Sequence, residues 1–282
     1  MDTVRQLAPE EFPPLLVETP EPPDSLYIRG TLPAPEHKLL TVVGSRRMSR
    51  YGKDVVEYLI RGLQGYPVSI VSGLALGIDA TAHRAALDAG LHTVALPGSG
   101  INRNVIYPAS NRDLADEIVE KGGAIMSEWE PNQKTHISFF PKRNRIMAGM
   151  SHATLIIEAG MKSGTLITAR LASDYGRELL IVPHSIFDEG GEGGHLFMRL
   201  GAAPVRSASD ILEALGLEEQ ARTALDLSPE EERVIEALSS PMPRDELIRT
   251  LALPVSDANV LLLGMELKGI IKETLGELRR NI

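Results

Sequence analysis

The chain of 282 residues contains no cysteine. Disulfides, thiolate nucleophiles and cysteine-based zinc sites are therefore excluded. No apolar run approaches the roughly 18 residues of a membrane-spanning helix. The first eleven residues carry Asp2, Glu10 and Glu11 without an apolar core, unlike a secretory signal. A soluble, cytoplasmic protein without a membrane contact is expected. Nucleotide fingerprints are missing too. Gly44-Ser45-Arg46 breaks a G-x-G-x-x-G pattern at its second glycine, and Pro97-Gly98-Ser99-Gly100-Ile101-Asn102-Arg103 fails at the third. There is no Walker A loop and no nucleophile elbow. His83, His136, His152, His184 and His195 are scattered, so no metal or other cofactor is implied.

Hydrophobic residues make up 43% of the chain, enough for a substantial core. The net charge of −9 is unevenly spread. Residues 1–43 hold 3 Lys/Arg against 7 Asp/Glu, residues 207–282 hold 8 against 15, and residues 44–206 hold 18 against 16. Acidic flanks thus surround a locally basic centre. Two basic segments stand out within it. Gly44-Ser45-Arg46-Arg47 follows the apolar run 39–43, and Phe140-Pro141-Lys142-Arg143-Asn144-Arg145 lies further on. A strand that ends in Gly-Ser and turns into a helix exposes backbone N–H groups, which favour anions. Arginines beside such turns, without an evident catalytic group, point to holding phosphates rather than cleaving them.

Residues 1–37 carry eight prolines between Pro9 and Pro35 and read as an extended lead-in outside the packed domain. Short, nearly continuous apolar runs then recur at 39–43, 68–72, 92–96, 123–127, 153–157 and 178–182. Such runs are the mark of parallel strands buried on both faces. Helical stretches are expected at 51–64, 77–89, 110–121, 142–150 and 164–175, with a last strand and helix at 203–215. This alternation predicts an α/β fold over 38–215: a Rossmann-like, doubly wound, mostly parallel sheet. An acidic linker is expected at 216–227. Ser228 and Pro229 then start a small winged-helix-like domain over 228–282, with helices near 229–239, 243–251 and 256–268. Its acidic charge favours a protein contact or a regulatory role over DNA.

Asp79 and His83 are spaced for an acid–base pair on a helix, or for an ordinary i,i+4 contact. Glu128, Glu130 and Glu158 fall at strand ends, with no catalytic array beside them.

Six motifs follow one another in order. They are Val42-Val43-Gly44-Ser45-Arg46; Tyr51-Gly52; Ser72-Gly73-Leu74-Ala75-Leu76-Gly77-Ile78-Asp79-Ala80-Thr81-Ala82-His83; Tyr107-Pro108 with Asn111; the Phe140–Ile146 segment; and Ser163-Gly164-Thr165-Leu166-Ile167-Thr168-Ala169. Together, over about 15–215, they resemble the bacterial DNA-processing protein A family (DprA, also called Smf). The resemblance implies a non-enzymatic protein that binds single-stranded DNA. It would protect incoming DNA in natural transformation, help load the RecA recombinase, and form a homodimer through the Rossmann-like domain. The family's binding arginine falls on Arg46. The resemblance adds Asn111, Ser163 and Gly164 to the candidate site. An N-terminal helical domain found in many relatives is not expected. Ala109 and Leu76 stand where relatives often have a basic residue.

On this reading Arg46, Arg47, Lys142, Arg143 and Arg145 track successive phosphates, while Gly44, Ser45 and Gly73 offer backbone N–H groups. Phe140 either stacks on a base or anchors its loop, and Asn144 either fixes the loop or touches DNA. Arg145 either meets a phosphate or pairs with Glu158. About four or five neutralised phosphates imply a log–log salt slope near −3 to −3.5. Two other classes remain: a phosphoribohydrolase-like nucleotide enzyme, and a nucleotide-sensing adaptor. Against the enzyme, Thr168 stands where that class carries its catalytic glutamate.

Overall fold

The computed structural model describes residues 3–218, 227–274 and 276–280. They form two compact units, 1–218 and 219–282. In chain order the first holds β1 (Val4–Gln6), α1 (Pro14–Val17), β2 (Tyr27–Gly30), β3 (Lys38–Val43), α2 (Arg50–Arg61), β4 (Val68–Ser72), α3 (Ile78–Asp88) and β5 (His92–Ala95). Then come α4 (Arg112–Glu120), β6 (Ala124–Ser127), α5 (Phe139–Met150), β7 (Ala153–Ile156), α6 (Thr165–Asp174), β8 (Glu178–Ile181), α7 (Glu192–Arg199), β9 (Ala203–Pro204) and α8 (Ala208–Ala214).

The strands form one sheet in the order β1-β2-β6-β5-β4-β3-β7-β8-β9. From β6 to β9 every pairing is parallel. Side chains alternate across a strand, so β3 feeds two cores. Leu40 and Val42 pack with α2, α3 and α8 on one face. Leu39 and Val43 pack with α5 and α6 on the other. The chain winds outward from β3 to β6, returns to β7, then winds the opposite way. That reversal opens a crevice between the carboxyl ends of β3 and β7, where such sheets bind ligands.

The extended lead-in expected at 1–37 is corrected. β2 pairs antiparallel with β6 (Ile28 opposite Met126), and β1 pairs with β2. Leu7, Leu16, Leu26 and Ile28 are buried in the same core as α5. Proline hid this segment from a periodicity reading. Yet Pro14 suits the first position of a helix, and β2 covers an edge of β6 that would otherwise stand unpaired. A second difference concerns α5, which starts at Phe139 and not at 142. Pro141 lies in its first turn, where a missing N–H breaks no helix bond.

The second unit contains α9 (Pro229–Ala237), β10 (Met242–Pro243), α10 (Arg244–Leu251), α11 (Val255–Leu267), β11 (Ile271–Thr274) and β12 (Glu277–Arg280). Its strands pair in the order β10-β12-β11. The winged-helix-like arrangement is therefore present. Ser228 Oγ accepts from Glu231 N at 3.2 Å and Glu231 Oε2 accepts from Ser228 N at 2.8 Å, a reciprocal cap on α9. Of the expected linker, residues 219–226 lie outside the described residues.

His83 is a core residue of α3. The Thr93 hydroxyl donates to Ile70 O at 2.9 Å, so His83 Nδ1–H donates to Thr93 Oγ1 at 2.8 Å. Burial, then the nearby Arg143 charge, holds its pKa down from 6.5 to about 3. Between those values the unfolded chain binds the extra proton, so stability falls as pH drops from about 6.5 towards 3. Urea titrations across that range should show a shallower loss for His83→Leu than for the wild type. Parallel profiles would remove the imidazole from the acid response. Leu16→Ala should lower stability by about 2–5 kcal/mol, read from the denaturation midpoint. A change below about 0.5 kcal/mol would mean that the N-terminal segment adds little to the core.

Candidate nucleic-acid interface

β3 ends at Val43, and the turn at Gly44 that follows is pressed onto the start of α3. A Cβ on Gly44 would lie 2.7 Å from Ile78 Cγ1, and one on Gly77 would lie 2.3 Å from Ser45 O. Gly77 also has φ +76°, a region that glycine enters without strain. Ile78 N donates to Ser45 O at 3.1 Å, and Arg47 N donates to Ser45 Oγ at 3.1 Å. The turn is thus rigid, with Arg46 and Arg47 exposed on its outer side.

The first turn of α5 faces it. The guanidinium carbon of Arg46 lies 5.0 Å from the Phe140 ring centroid, a cation–π distance. The same ring packs so closely on Gly98 that a Cβ there would come within 2.6 Å. Phe140 therefore anchors its turn and also presents a ring beside a cation. Tyr107, 47% exposed, stands 6.1 Å from Phe140.

Arg143 differs from its expected role. Its side chain is buried, and Nη1 donates to Leu96 O at 2.6 Å. It runs directly beneath Gly73, where a Cβ would sit 1.5 Å from Nη1. Burial lowers its pKa to about 10, opposed first by Asp79, so it stays charged near neutrality. Asp79 is buried as well and accepts the backbone N–H groups of Ala75 and Gly73. Burial raises its pKa, with Arg143 the largest opposing influence. The N–H of Gly73 is therefore consumed inside the protein. This residue provides clearance for Arg143, not a contact for a phosphate.

Two further candidates turn inward. Asn111 is buried, and its Nδ2 donates to Leu74 O at 2.9 Å and Ala75 O at 3.2 Å. It braces a loop in which Leu74 has φ +57°. Arg145 pairs with Glu128 and donates to Glu21 O at 2.7 Å, which draws it from the phosphate track. Its partner is thus Glu128 and not Glu158. Burial raises the Glu128 pKa, and Arg145 is the first influence against it. Glu158 is occupied elsewhere: it accepts from Ser49 N at 3.0 Å and from the Ser49 hydroxyl at the start of α2.

The β7 end closes the other side. Thr165 N donates to Ser163 Oγ at 3.2 Å, and the Thr165 hydroxyl donates to Gly44 O at 3.2 Å. Between these walls lies a cleft of about 410 Å³. Gly44 to Arg47 form one wall and Ser163 to Thr165 the opposite one. Phe140, Arg143 and Asn144 line the α5 side, and Asp79 is the one acidic lining residue. A recess of about 40 Å³ shares Arg46 and Phe140 and reaches Gly73, Leu76 and Tyr107. Lys142 is exposed on another flank of α5, with Nζ 5.6 Å from the Trp129 ring centroid. Among the described residues, no group of three or more His, Cys, Asp or Glu could hold a metal ion.

This arrangement suits an extended polyanion. Arg46 and Arg47 offer cations at the mouth, and Arg143 adds positive field beneath it. A dinucleotide fits poorly. Its pyrophosphate would need the N-terminus of the helix after β3, and Glu158 already occupies that place. Sequence reasoning named Tyr107 only within a motif and missed Trp129 as a site neighbour; its place just beyond the carboxyl end of β6 was the available signal.

Comparison with known proteins identifies the family. Residues 3–216 match the family model for DNA recombination-mediator protein A. Residues 218–276 match the DprA winged helix domain. Protein Smf from Escherichia coli is 40% identical over 206 residues, spanning 73% of this chain and 54% of its own length. The DNA processing protein DprA of Streptococcus pneumoniae is 40% identical over 201 residues, 71% of this chain and 70% of the relative. The chain thus matches only about half of the E. coli relative. Among solved structures, S. pneumoniae DprA superposes with a TM-score of 0.70 at 36% identity, covering 77% of this chain and 75% of that one. DNA processing protein A from Helicobacter pylori, described for its single-stranded DNA binding mode, gives 0.66 at 28% identity, covering 75% and 95%. On the match over residues 3–216, with the winged-helix match after it, this chain belongs to the DNA recombination-mediator protein A (DprA/Smf) family.

Proposed function

We propose that this protein binds single-stranded DNA along the carboxyl edge of its large sheet, without regard to sequence. The observation that carries the reading is the Arg46–Phe140 pair, 5.0 Å apart at the mouth of the β3/β7 cleft. A cation beside an accessible ring is what a strand needs: phosphate neutralisation and base stacking together. The H. pylori relative's single-stranded DNA binding mode supports the same choice. Within this reading the protein holds incoming DNA during natural transformation and hands it to a RecA recombinase. It works in the cytoplasm as a homodimer of the large unit. Family membership is what supports these finer roles. Light scattering tests the dimer, and a concentration-independent monomer mass would refute it.

The reading contains no catalytic step. Asp79, the acid that lines the cleft, is held by two backbone amides beside Arg143. The enzyme alternative predicts free base after incubation with nucleoside monophosphates, and our reading predicts none.

With Arg143 and Arg145 engaged internally, Arg46, Arg47 and Lys142 remain as exposed phosphate contacts. About three neutralised phosphates give a log–log salt slope near −2. Affinity for labelled oligo-dT should then fall about 20-fold between about 50 and 200 mM salt. Arg46→Ala should weaken binding similarly for every sequence and reduce the slope by roughly 0.7. Fluorescence anisotropy reads both. A flat salt response, or unaltered binding by Arg46→Ala, would remove this cleft from the DNA path.

A further inference from the structure

We propose a second subsite, for an unpaired base, at Trp129 beyond the carboxyl end of β6. It rests on the single-stranded DNA reading and extends the strand's path along the same edge. Trp129 is the only tryptophan in the chain. Its ring stacks on Phe139 with centroids 3.9 Å apart and planes 16° apart. Lys142 Nζ lies 5.6 Å from the same ring. The neighbouring pair, Arg46 with Phe140, has the same chemistry. The α5 start therefore carries two aromatic–cation units, because successive residues Phe139 and Phe140 point to different flanks.

The platform is held ready. Gly100 N donates to Gln133 O at 2.8 Å and Asn102 N donates to Pro131 O at 3.0 Å, which laces the loop after β6 to the loop after β5. Local acids are turned to other partners. Glu128 pairs with Arg145, and Glu130 accepts the Tyr27 hydroxyl at 2.6 Å. Two residues before Phe139 in the chain, Ile137 is 80% exposed. Apolar and aromatic surface next to a lysine fits a base with its phosphate.

Spacing suits a continuous strand. β6 lies three places from β3 in the sheet order. At about 4.8 Å per strand that is roughly 14 Å. A strand rising about 3.4 Å per nucleotide covers this in about four nucleotides. Short oligomers would fill the cleft alone, and longer ones would reach Trp129.

The lone tryptophan provides the test. Oligo-dT of about 12 nucleotides should quench its fluorescence on binding, whereas about three nucleotides should not. An abasic backbone oligomer of the longer length should bind through the cations without quenching. Trp129→Leu should weaken the longer oligomer about 5- to 100-fold by anisotropy and leave the shorter one unchanged. Trp129→Phe should restore most of the loss. Circular dichroism checks the fold of both variants. If Trp129→Leu does not fold, wild-type quenching and the Phe variant decide. Tight binding of the longer oligomer with unquenched Trp129, or equal binding by a folded Trp129→Leu, would overturn this subsite and leave the Arg46 cleft standing. Failure of every oligomer to bind at low salt would overturn both.

Discussion

The site depends on one buried cation. Arg143 reaches from α5 under Gly73, binds Leu96 O, and stands opposite the charge of Asp79. It thereby joins the loop after β4, the loop after β5 and the start of α3 to one helix. Burying a charge is unfavourable unless fixed dipoles and an opposite charge replace water. Here a carbonyl and a carboxylate do so, and backbone amides in turn hold the carboxylate. The geometry leaves no space for a side chain at position 73. Because Arg143 is fixed, the turn before it is fixed, and Phe140 and Lys142 are presented at set places on the edge.

Such rigidity bears on how a flexible strand is held. Ordering long cationic side chains on binding costs conformational entropy. Arg46 already rests against Phe140, and Lys142 near Trp129. Each cation is therefore partly placed in the free protein. On the proposed function such a surface would meet backbone and π-faces, neither of which carries a sequence code.

Much of the fold was legible in the sequence. The apolar runs from 39–43 to 178–182 fell on β3 to β8, because doubly buried strands leave no other pattern. Ser228 and Pro229 announced α9 by its cap. Residues 4–30 were not legible: prolines masked a segment whose leucines meet partners more than 100 residues away. Within the site, Arg46, Arg47 and Ser163 line the cleft. The roles of the basic residues on α5 were not separable while that helix was expected from 142. Once it begins at Phe139, a turn of 100° per residue sends Lys142, Arg143 and Arg145 in three directions. One faces solvent, one enters the core, and one meets Glu128.

The crevice of this sheet type commonly receives a nucleotide, and here the protein occupies those positions itself. Glu158 holds the N–H and hydroxyl of Ser49, the N-cap of α2, and Asp79 takes the amides before α3. Both are carboxylates bound where an anion is favoured by free N–H groups and the helix dipole. An external phosphate would have to displace a tethered acid of like charge. What remains attractive to anions lies outward, at Arg46, Arg47 and Lys142. A ligand that uses those positions must be long and anionic and must have repeated charges, because they are spread along the edge. A single strand meets that requirement, and its bases can use Phe140 in the same step. On the proposed function, closing the inner sites leaves this nucleotide-type crevice with an outer edge suited to a polymer.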